Sequence, residues 1–263
     1  MSAGRRTLSP DIVACARIVE RGDPLRFRAA MAAPVAARDR LFPIYAFNVE
    51  VARAPWLTSE PMIAEMRLQW WRDVAQEIAQ GGPVRRHEVA TPLARAVTPG
   101  LAPLLDEIAA SRRWDIHGNP FEDRAALERH IDGTAGNLAW LAACALGEAD
   151  EGVIRDAAFA AGLAAWLRAV PELTARGRHP LPDRAPDAIS SLAAQGLKRL
   201  ARARSARAAV SSAARPALLI LQDTGPALRA ARRAPGLVAT GGLPPPGLTA
   251  RAAFLIRTLS GRW

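Results

Sequence analysis

The sequence predicts an all-α protein that forms a single domain. Helix start signals recur along the chain, and Ser9-Pro10 and Asp23-Pro24 each place a capping residue before a proline. Alternating runs of β-branched residues, the pattern of strands, do not occur. Half of the 263 residues are apolar, and neither a repeat nor a low-complexity linker divides the chain. We therefore expect one domain over residues 1–263, with residues 1–8 flexible.

Local caps and stops define the helices in order. Gly22 ends the first helix and Pro34 ends the second, while Gly81-Gly82 stops the fourth. Pro43 falls within the third helix and is expected to kink or split it. Asn119-Pro120 is interpreted as the start of a long apolar helix that runs to Gly147. The predicted helices cover residues 10–22, 24–34, 36–54, 59–82, 119–147, 151–174, 187–207, 214–233 and 248–259.

The charge of the chain indicates anionic partners. The formal net charge is +10, and all but one of the 35 basic residues are arginine. Such a chain is attracted to diphosphates, acidic lipids or nucleic acid. Zinc-ligand spacings, glycine-rich phosphate loops and aromatic-basic RNA motifs are absent from the sequence, so we expect no nucleic-acid partner.

Cysteine usage and hydropathy favour a cytoplasmic location. Cys15 and Cys144 lie in apolar helical segments and are expected to be buried thiols in a reducing compartment. No signal-peptide core follows the N-terminus. The longest uncharged run, Gly133–Gly147, is shorter than the roughly 20 residues needed to span a bilayer, and we interpret it as a core helix.

Several short motifs occur along the chain in a fixed order. They are Arg38–Phe42 leading into Tyr45–Phe47, Leu68–Arg72, Ile131–Gly136, Trp166–Glu172 and Gly177–Pro182. In these motifs and their order the chain resembles the squalene/phytoene synthase family, and the resemblance covers most of the chain from about residue 20. It implies an isoprenoid-synthase-type helical bundle with a deep central cavity. Active members join two prenyl diphosphates head to head with the help of Mg²⁺.

The aspartates that hold Mg²⁺ in active members are missing here. Two aspartate-rich motifs on facing helices bind the metal in the family, and this chain retains only Glu50 and Glu172 near them. We therefore expect no catalytic residues, no metal ligands and no cofactor. The residues at the motif positions are Ala52, Arg53 and Trp56 on the first helix and Ala165, Ala169 and Leu173 on the second.

Other residues at family positions are retained and are candidates for binding a ligand in the cavity. The planar guanidinium group suits phosphate oxygens, so retained arginines favour an anionic lipid or an isoprenoid ligand. In the alternative interpretation, the arginines pair with Glu50, Glu65, Asp132 and Glu172 inside the bundle. The candidate ligand-binding residues are Arg38, Arg40, Tyr45, Glu50, Asp132, Arg168 and Arg178.

Three functions are compatible with these observations. The segments 45–53, 61–63 and 65–72 are similar to a non-catalytic branch of the family, typified by an assembly factor of respiratory complex I. That branch implies a protein peripheral to the inner membrane that assists a membrane-protein partner. The second hypothesis is an active head-to-head prenyl transferase with unconventional Mg²⁺ ligands, for which Glu128 and Asp132 are the best-placed acids. The third is a lipid carrier that uses the cavity without chemistry.

Overall fold

The structure, a computed structural model, describes residues 8–244. The expected flexibility of residues 1–8 falls almost entirely outside this range, and the predicted helix 248–259 lies outside it. Within the described residues the chain is helical, and no strand forms. The helices are α1 (Pro10–Gly22), α2 (Pro24–Ala32), α3 (Val35–Arg53), α4 (Pro61–Ala79), α5 (Ala90–Ala96), α6 (Ala102–Ser111), α7 (Arg113–His117), α8 (Arg124–Ile131), α9 (Asn137–Leu146), α10 (Glu151–Ala175), α11 (Pro186–Ser205), α12 (Thr224–Arg233) and α13 (Gly236–Thr240).

The first helices begin where their caps predict. The Oγ of Ser9 accepts a hydrogen bond from the N–H of Ile12 at 3.4 Å, and the Oδ1 of Asp23 accepts one from the N–H of Arg26 at 2.9 Å. These side chains satisfy N–H groups that have no partner within the helix. Pro43 lies inside α3, which continues through it as one helix and is not split.

The segment 119–147 differs from the prediction. Helix α8 begins after Asp123, whose side chain caps the N–H of Ala126 at 2.7 Å, whereas Asn119 remains outside the helix and accepts the indole N–H of Trp114 at 2.9 Å. A π-helical turn, Asp132–Gly136, then separates α8 from α9. The interruption brings small residues against neighbouring helices.

Three short helices, α5 to α7, occupy a region between residues 83 and 118 for which the sequence predicts none. They have only five to ten residues each. A helix this short shows few repeats of the apolar period, so packing stabilises it more than its own sequence does.

Buried residues of every described helix form one apolar cluster. Helix α3 packs against α1, α5 and α9, and α10 packs against α9 and α11. Gly162 of α10 approaches the π turn so closely that a Cβ there would lie 2.6 Å from the Cβ of Ala135. Small residues on both sides of this contact allow the two segments to approach closely. None of the described helices combines the length and the low charge needed to cross a bilayer.

Candidate functional site

A cavity of about 530 Å³ lies inside the bundle, between α3, α8, α9 and the C-terminal half of α10. It opens into a wider mouth of about 780 Å³ next to α1 and α2. Arg26, Asn48, Ala52, Trp56 and Arg112 line both spaces and therefore lie at the junction. The volume falls within the range of small-molecule sites in proteins, roughly 300–1,000 Å³.

The positions of the missing aspartates line this cavity from two sides. Ala52 and Trp56 contribute from the end of α3 and the 3₁₀ turn after it, and Arg53 lines the mouth. Ala165 and Ala169 line the cavity from α10, one helical turn apart. Leu173 continues the same face of α10. The residues that stand at the motif positions therefore do face a common space, without carboxylates.

Four arginines and three acidic residues line the cavity among the described residues, and the charge is therefore positive. Arg176 binds Glu172 at 2.5 Å across one turn of α10 and stacks on the ring of Trp56. Arg26 pairs with Asp23 of the mouth. The four arginines are Arg26, Arg112, Arg168 and Arg176, and the three acids are Asp115, Glu172 and Asp223.

Arg112 is weakly held at the junction. Its guanidinium lies 3.5 Å from the Oδ1 of Asn48 and 3.5 Å from the Oδ2 of Asp115, and both distances are long for hydrogen bonds. Its Nε is buried and has no hydrogen-bond partner. Burial raises the pKa of Asp115 despite the nearby arginine, which favours the neutral acid.

Arg168 enters the inner cavity from α10. It donates hydrogen bonds to the carbonyl oxygens of Asp223 at 3.4 Å and Pro244 at 3.2 Å. Its buried Nε has no partner. Burial lowers the pKa of Arg168, although Asp223 acts in the opposite direction. The positive charge of Arg168 is therefore incompletely compensated within the described chain.

Of the seven candidate ligand-binding residues, Arg168 lines the cavity, and the other three candidate arginines bind helix-end carbonyl groups elsewhere. Arg38 donates to Met31 at the end of α2, at 2.7 Å. Arg40 donates to Arg95 near the end of α5. Arg178 donates to the carbonyls of Asp115 and Ile116 in α7, at 2.9 and 3.1 Å. These side chains satisfy carbonyl groups that have no partner within their helices.

Tyr45, Glu50 and Asp132 also lie outside the cavity lining. Tyr45 is buried below Arg26, whose guanidinium carbon lies 5.9 Å from the ring centre, and burial raises the pKa of Tyr45 to about 12. Glu50 binds Arg53 at 2.7 Å and lines a separate groove of about 380 Å³ with Trp70. The carboxylate of Asp132 forms an ion pair with Arg155 of α10.

The acids with the spacing of helical metal ligands form ion pairs with arginines. Arg155 binds both carboxylate oxygens of Asp132 at 3.0 Å. Glu128 accepts from Arg124 at 3.1 Å and lies 3.3 Å from Arg199. Glu77 of α4, which follows Asp73 by one helical turn, accepts from Arg85 at 2.5 Å. In the described part of the chain no three His, Cys, Asp or Glu side chains cluster as metal ligands.

Sequence reasoning missed an aromatic box around His130. The rings of Trp114, Phe121 and Trp166 lie 4.9 to 5.5 Å from the imidazole. Burial lowers the pKa of His130 to about 3, with a further contribution from Arg112, so the ring stays neutral. The Trp166 indole donates to the Pro180 carbonyl at 2.8 Å, and the ring forms part of the cavity wall without filling the cavity.

Arg26, Arg112 and Arg176 were also missed as cavity residues. Their positions fall outside the motifs, and the arginines occur among many others along the chain. Arg112 meets Asn48 across 64 residues of sequence. No local pattern marks a contact of that separation.

The helices form an all-α bundle around an internal cavity, the architecture of the isoprenoid-synthase-type fold. Residues 19–241 match the family model for squalene/phytoene synthase, so the chain belongs to that family. The structure is similar to the crystal structure of a dehydrosqualene synthase in complex with ligand, with a TM-score of 0.75 and 15% sequence identity. The match covers 95% of this chain and 96% of that one, and it supports the fold alone.

Two curated relatives carry the description "NADH dehydrogenase (ubiquinone) complex I, assembly factor 6". The protein from Bos taurus is 27% identical over 177 residues, and the one from Homo sapiens is 27% identical over 173 residues. Each alignment covers 64% of this chain and 52% of the relative. The chain therefore spans about half the length of these curated relatives.

Proposed function

We propose that this protein is a non-catalytic member of the squalene/phytoene synthase family that assists the assembly of respiratory complex I. The observation that carries the proposal is the character of the two helix faces that meet across the cavity. They present Ala52, Ala165 and Ala169 where active members carry aspartates. Because the aspartates are missing from both faces, both sets of Mg²⁺ ligands are lost, and neither face alone can replace them.

The chemistry of the family explains why these positions matter. A diphosphate leaving group must be neutralised as its C–O bond ionises, and Mg²⁺ supplies that charge. Mg²⁺ prefers a few carboxylate oxygens together with water and phosphate. Alanine side chains offer no such ligand. Arginines can bind phosphate, yet they provide neither the divalent charge nor the octahedral geometry of the metal.

The assembly role is supported by the two curated relatives, both described as complex I assembly factors. A membrane-protein partner requires access to the membrane surface, so we place the protein in the cytoplasm, peripheral to the inner membrane. Large apolar side chains are concentrated on an exposed segment around the start of α4, which supports such a contact. They are Leu57, Met62, Ile63 and Met66, with exposures of 38 to 76%.

Two measurements test the proposal. Purified protein incubated with farnesyl or geranylgeranyl diphosphate, Mg²⁺ and NADPH is expected to form no coupled product. Deletion of the gene is expected to lower NADH:quinone oxidoreductase activity in membranes, and re-expression is expected to restore it. Unchanged activity after deletion contradicts the assembly role, whereas product formation contradicts the non-catalytic one.

The second candidate function is an active prenyl transferase with unconventional Mg²⁺ ligands. The fold, the cavity volume and the acids that remain in its lining favour it. Its test uses the same incubation with variants. If turnover occurs, its loss in Glu172→Gln identifies a ligand in the cavity, and its loss in Asp132→Asn identifies the acid on the π turn.

A further inference from the structure

The start of α4 carries a group of exposed apolar side chains. Met62 and Met66 are 76% and 66% exposed and lie one helical turn apart, so they project from the same face of the helix. Ile63 lies beside them, and Leu57 precedes the helix with an exposure of 52%. We call these four side chains the α4 apolar patch. Exposed apolar side chains that are grouped in this way mark an interaction surface, whereas single ones do not.

The charges around the patch nearly cancel. Glu65 of the same helix pairs with Arg113 at 2.8 Å. Glu60 and Arg67 are exposed, and neither forms an ion pair with a described residue. The net charge of the whole chain, +10, therefore decides which surfaces approach the patch. An anionic surface is attracted to such a protein, whereas a second copy of the chain is repelled.

The size of the patch favours a bilayer over a protein partner. Each partner contributes roughly 800 Å² to a standard protein interface, and four partly exposed side chains offer less than that. A bilayer requires no complementary shape and accepts a few apolar side chains. Trp70 is half-buried in the groove that Leu57 and Arg67 also line, and indole rings favour the level of the lipid headgroups.

We propose that the α4 apolar patch inserts into the headgroup layer of an anionic bilayer, with Arg67 at the level of the lipid phosphates. Met62 and Met66 enter furthest, because they are the most exposed side chains of the patch. Apolar burial and the attraction of the positive chain to anionic lipid both contribute to binding. This inference rests on the proposed function, which places the protein at the inner membrane, and it names the surface and the lipid chemistry of that contact.

Sedimentation with lipid vesicles tests the contact. One set of vesicles contains phosphatidylcholine alone, and the other contains equal parts of phosphatidylcholine and phosphatidylglycerol. At low salt we expect binding to the mixed vesicles to be at least about tenfold tighter. Added salt should weaken this preference, because it screens the charges. Equal binding to the two sets, or no binding to the mixed vesicles, overturns the proposal.

Paired variants test the apolar contact. The double variant Met62→Gln/Met66→Gln is expected to weaken binding to mixed vesicles at least about tenfold, whereas leucine at both positions should retain it. Met31→Gln/Val35→Gln is the matched control, because both residues are exposed at the start of α3 and the patch follows its end. A helix of 19 residues separates the two places by about 28 Å. A glutamine variant of the patch that binds like the control overturns the proposal.

A single charge change tests the orientation of the protein on the bilayer. Arg67→Gln is expected to weaken binding to mixed vesicles at least about threefold. Arg233→Gln, at an exposed position of α12, removes the same charge away from the patch and is expected to have a smaller effect. An equal effect of the two variants overturns the proposed orientation.

Other occupants of the patch give different results. In analytical ultracentrifugation without vesicles we expect a monomer, and a dimer that Met62→Gln/Met66→Gln dissociates would assign the patch to a second copy. Unchanged vesicle binding by this variant, with failure to restore NADH:quinone oxidoreductase activity to the deletion strain, would assign it to a protein partner. Either outcome overturns the proposal.

The vesicle assay is independent of the assembly role, because it contains only purified protein and lipid. If deletion of the gene leaves NADH:quinone oxidoreductase activity unchanged, the proposed function fails while vesicle binding stands. If the protein supports that activity and does not bind anionic vesicles, this inference fails alone.

Discussion

His130 is kept neutral by its surroundings. Three aromatic rings enclose it, and Arg112 adds a nearby positive charge. Desolvation and like charge both disfavour the imidazolium, which lowers the pKa of His130 from 6.5 to about 3. In the unfolded chain the histidine regains its ordinary pKa. Acid therefore favours the unfolded state through this residue.

The pH dependence of stability follows from that shift. The contribution of His130 is present above pH 6.5 and is lost as the pH falls toward about 3, because only the unfolded chain takes up the proton. Between about pH 6 and pH 4, the free energy of unfolding should fall by up to about 1.4 kcal/mol per pH unit more in the native protein than in His130→Phe. Urea unfolding at several pH values measures both slopes, and identical slopes contradict the neutral histidine.

Gly118 lies at the end of α7, and its lack of a side chain leaves space for Arg178. It ends α7 with a φ of 64°, and its N–H donates to the Trp114 carbonyl at 2.7 Å. A Cβ at this position would lie 2.4 Å from the Cδ of Arg178. The glycine therefore permits both the left-handed turn and the packing of the arginine.

Gly118→Ala should lower the free energy of unfolding by about 3 kcal/mol. The left-handed conformation accounts for roughly 1–2 kcal/mol, and displacement of Arg178 from the carbonyls of α7 accounts for the rest. Gly177→Ala is the matched control. Gly177 has a φ of 76°, and a Cβ added there would meet no other atom within 4 Å, so only the backbone cost of about 1–2 kcal/mol applies. Equal losses in urea unfolding would show that Arg178 adds nothing.

At the scale of helices, arginine side chains link one part of the chain to the C-terminal end of a helix by hydrogen bonds. Arg38, Arg40 and Arg178 each donate to carbonyls at or near the C-terminal end of a different helix. The C-terminal carbonyls of a helix carry partial negative charge and lack partners within the helix. Retention of these arginines at family positions is therefore explained by support of the frame around the cavity.

The start of α8 provides a test of helix capping. Asp123→Ala should lower the free energy of unfolding by about 1 kcal/mol, because the N–H of Ala126 loses its acceptor. Asn119→Ala, at the helix start that the sequence suggested, should change it by less than about 0.5 kcal/mol. Thermal or urea unfolding compares the two variants. A larger loss for Asn119→Ala would place the start of the helix earlier.

At the scale of the molecule, every described helix contributes buried residues to one apolar cluster. No second core is present among residues 8–244, and the cavity lies within the single one. Elements that share one core lose their packing together. If the chain forms one domain, as predicted, its helices should therefore unfold together.

Unfolding should proceed in a single transition. Helix content by far-ultraviolet circular dichroism and the fluorescence of the seven tryptophans should change at the same urea concentration. The tryptophans that line or adjoin the cavity, Trp56 and Trp166, report on the site, whereas circular dichroism reports on all helices. Two separate midpoints would contradict the single domain.

The sequence by itself was sufficient to predict the fold class and much of the order of the helices. Caps such as Ser9 and Asp23 act on N–H groups three residues away, so a local pattern is sufficient to place the starts of α1 and α2. The order of the motifs indicated the family, and the alanines at the metal positions were visible as a departure from it.

The tertiary structure alone decided which arginines face the cavity. Arg178 reaches Ile116 across 62 residues and Arg112 meets Asn48 across 64, so their roles depend on contacts that no local signal encodes. The same holds for the π turn and for α5 to α7, which packing stabilises. Local hydrogen bonds set where helices begin, whereas the direction of a long side chain depends on how the helices are arranged in the folded protein. In a chain rich in arginine, only that arrangement distinguishes an arginine that lines the cavity from one that caps a helix.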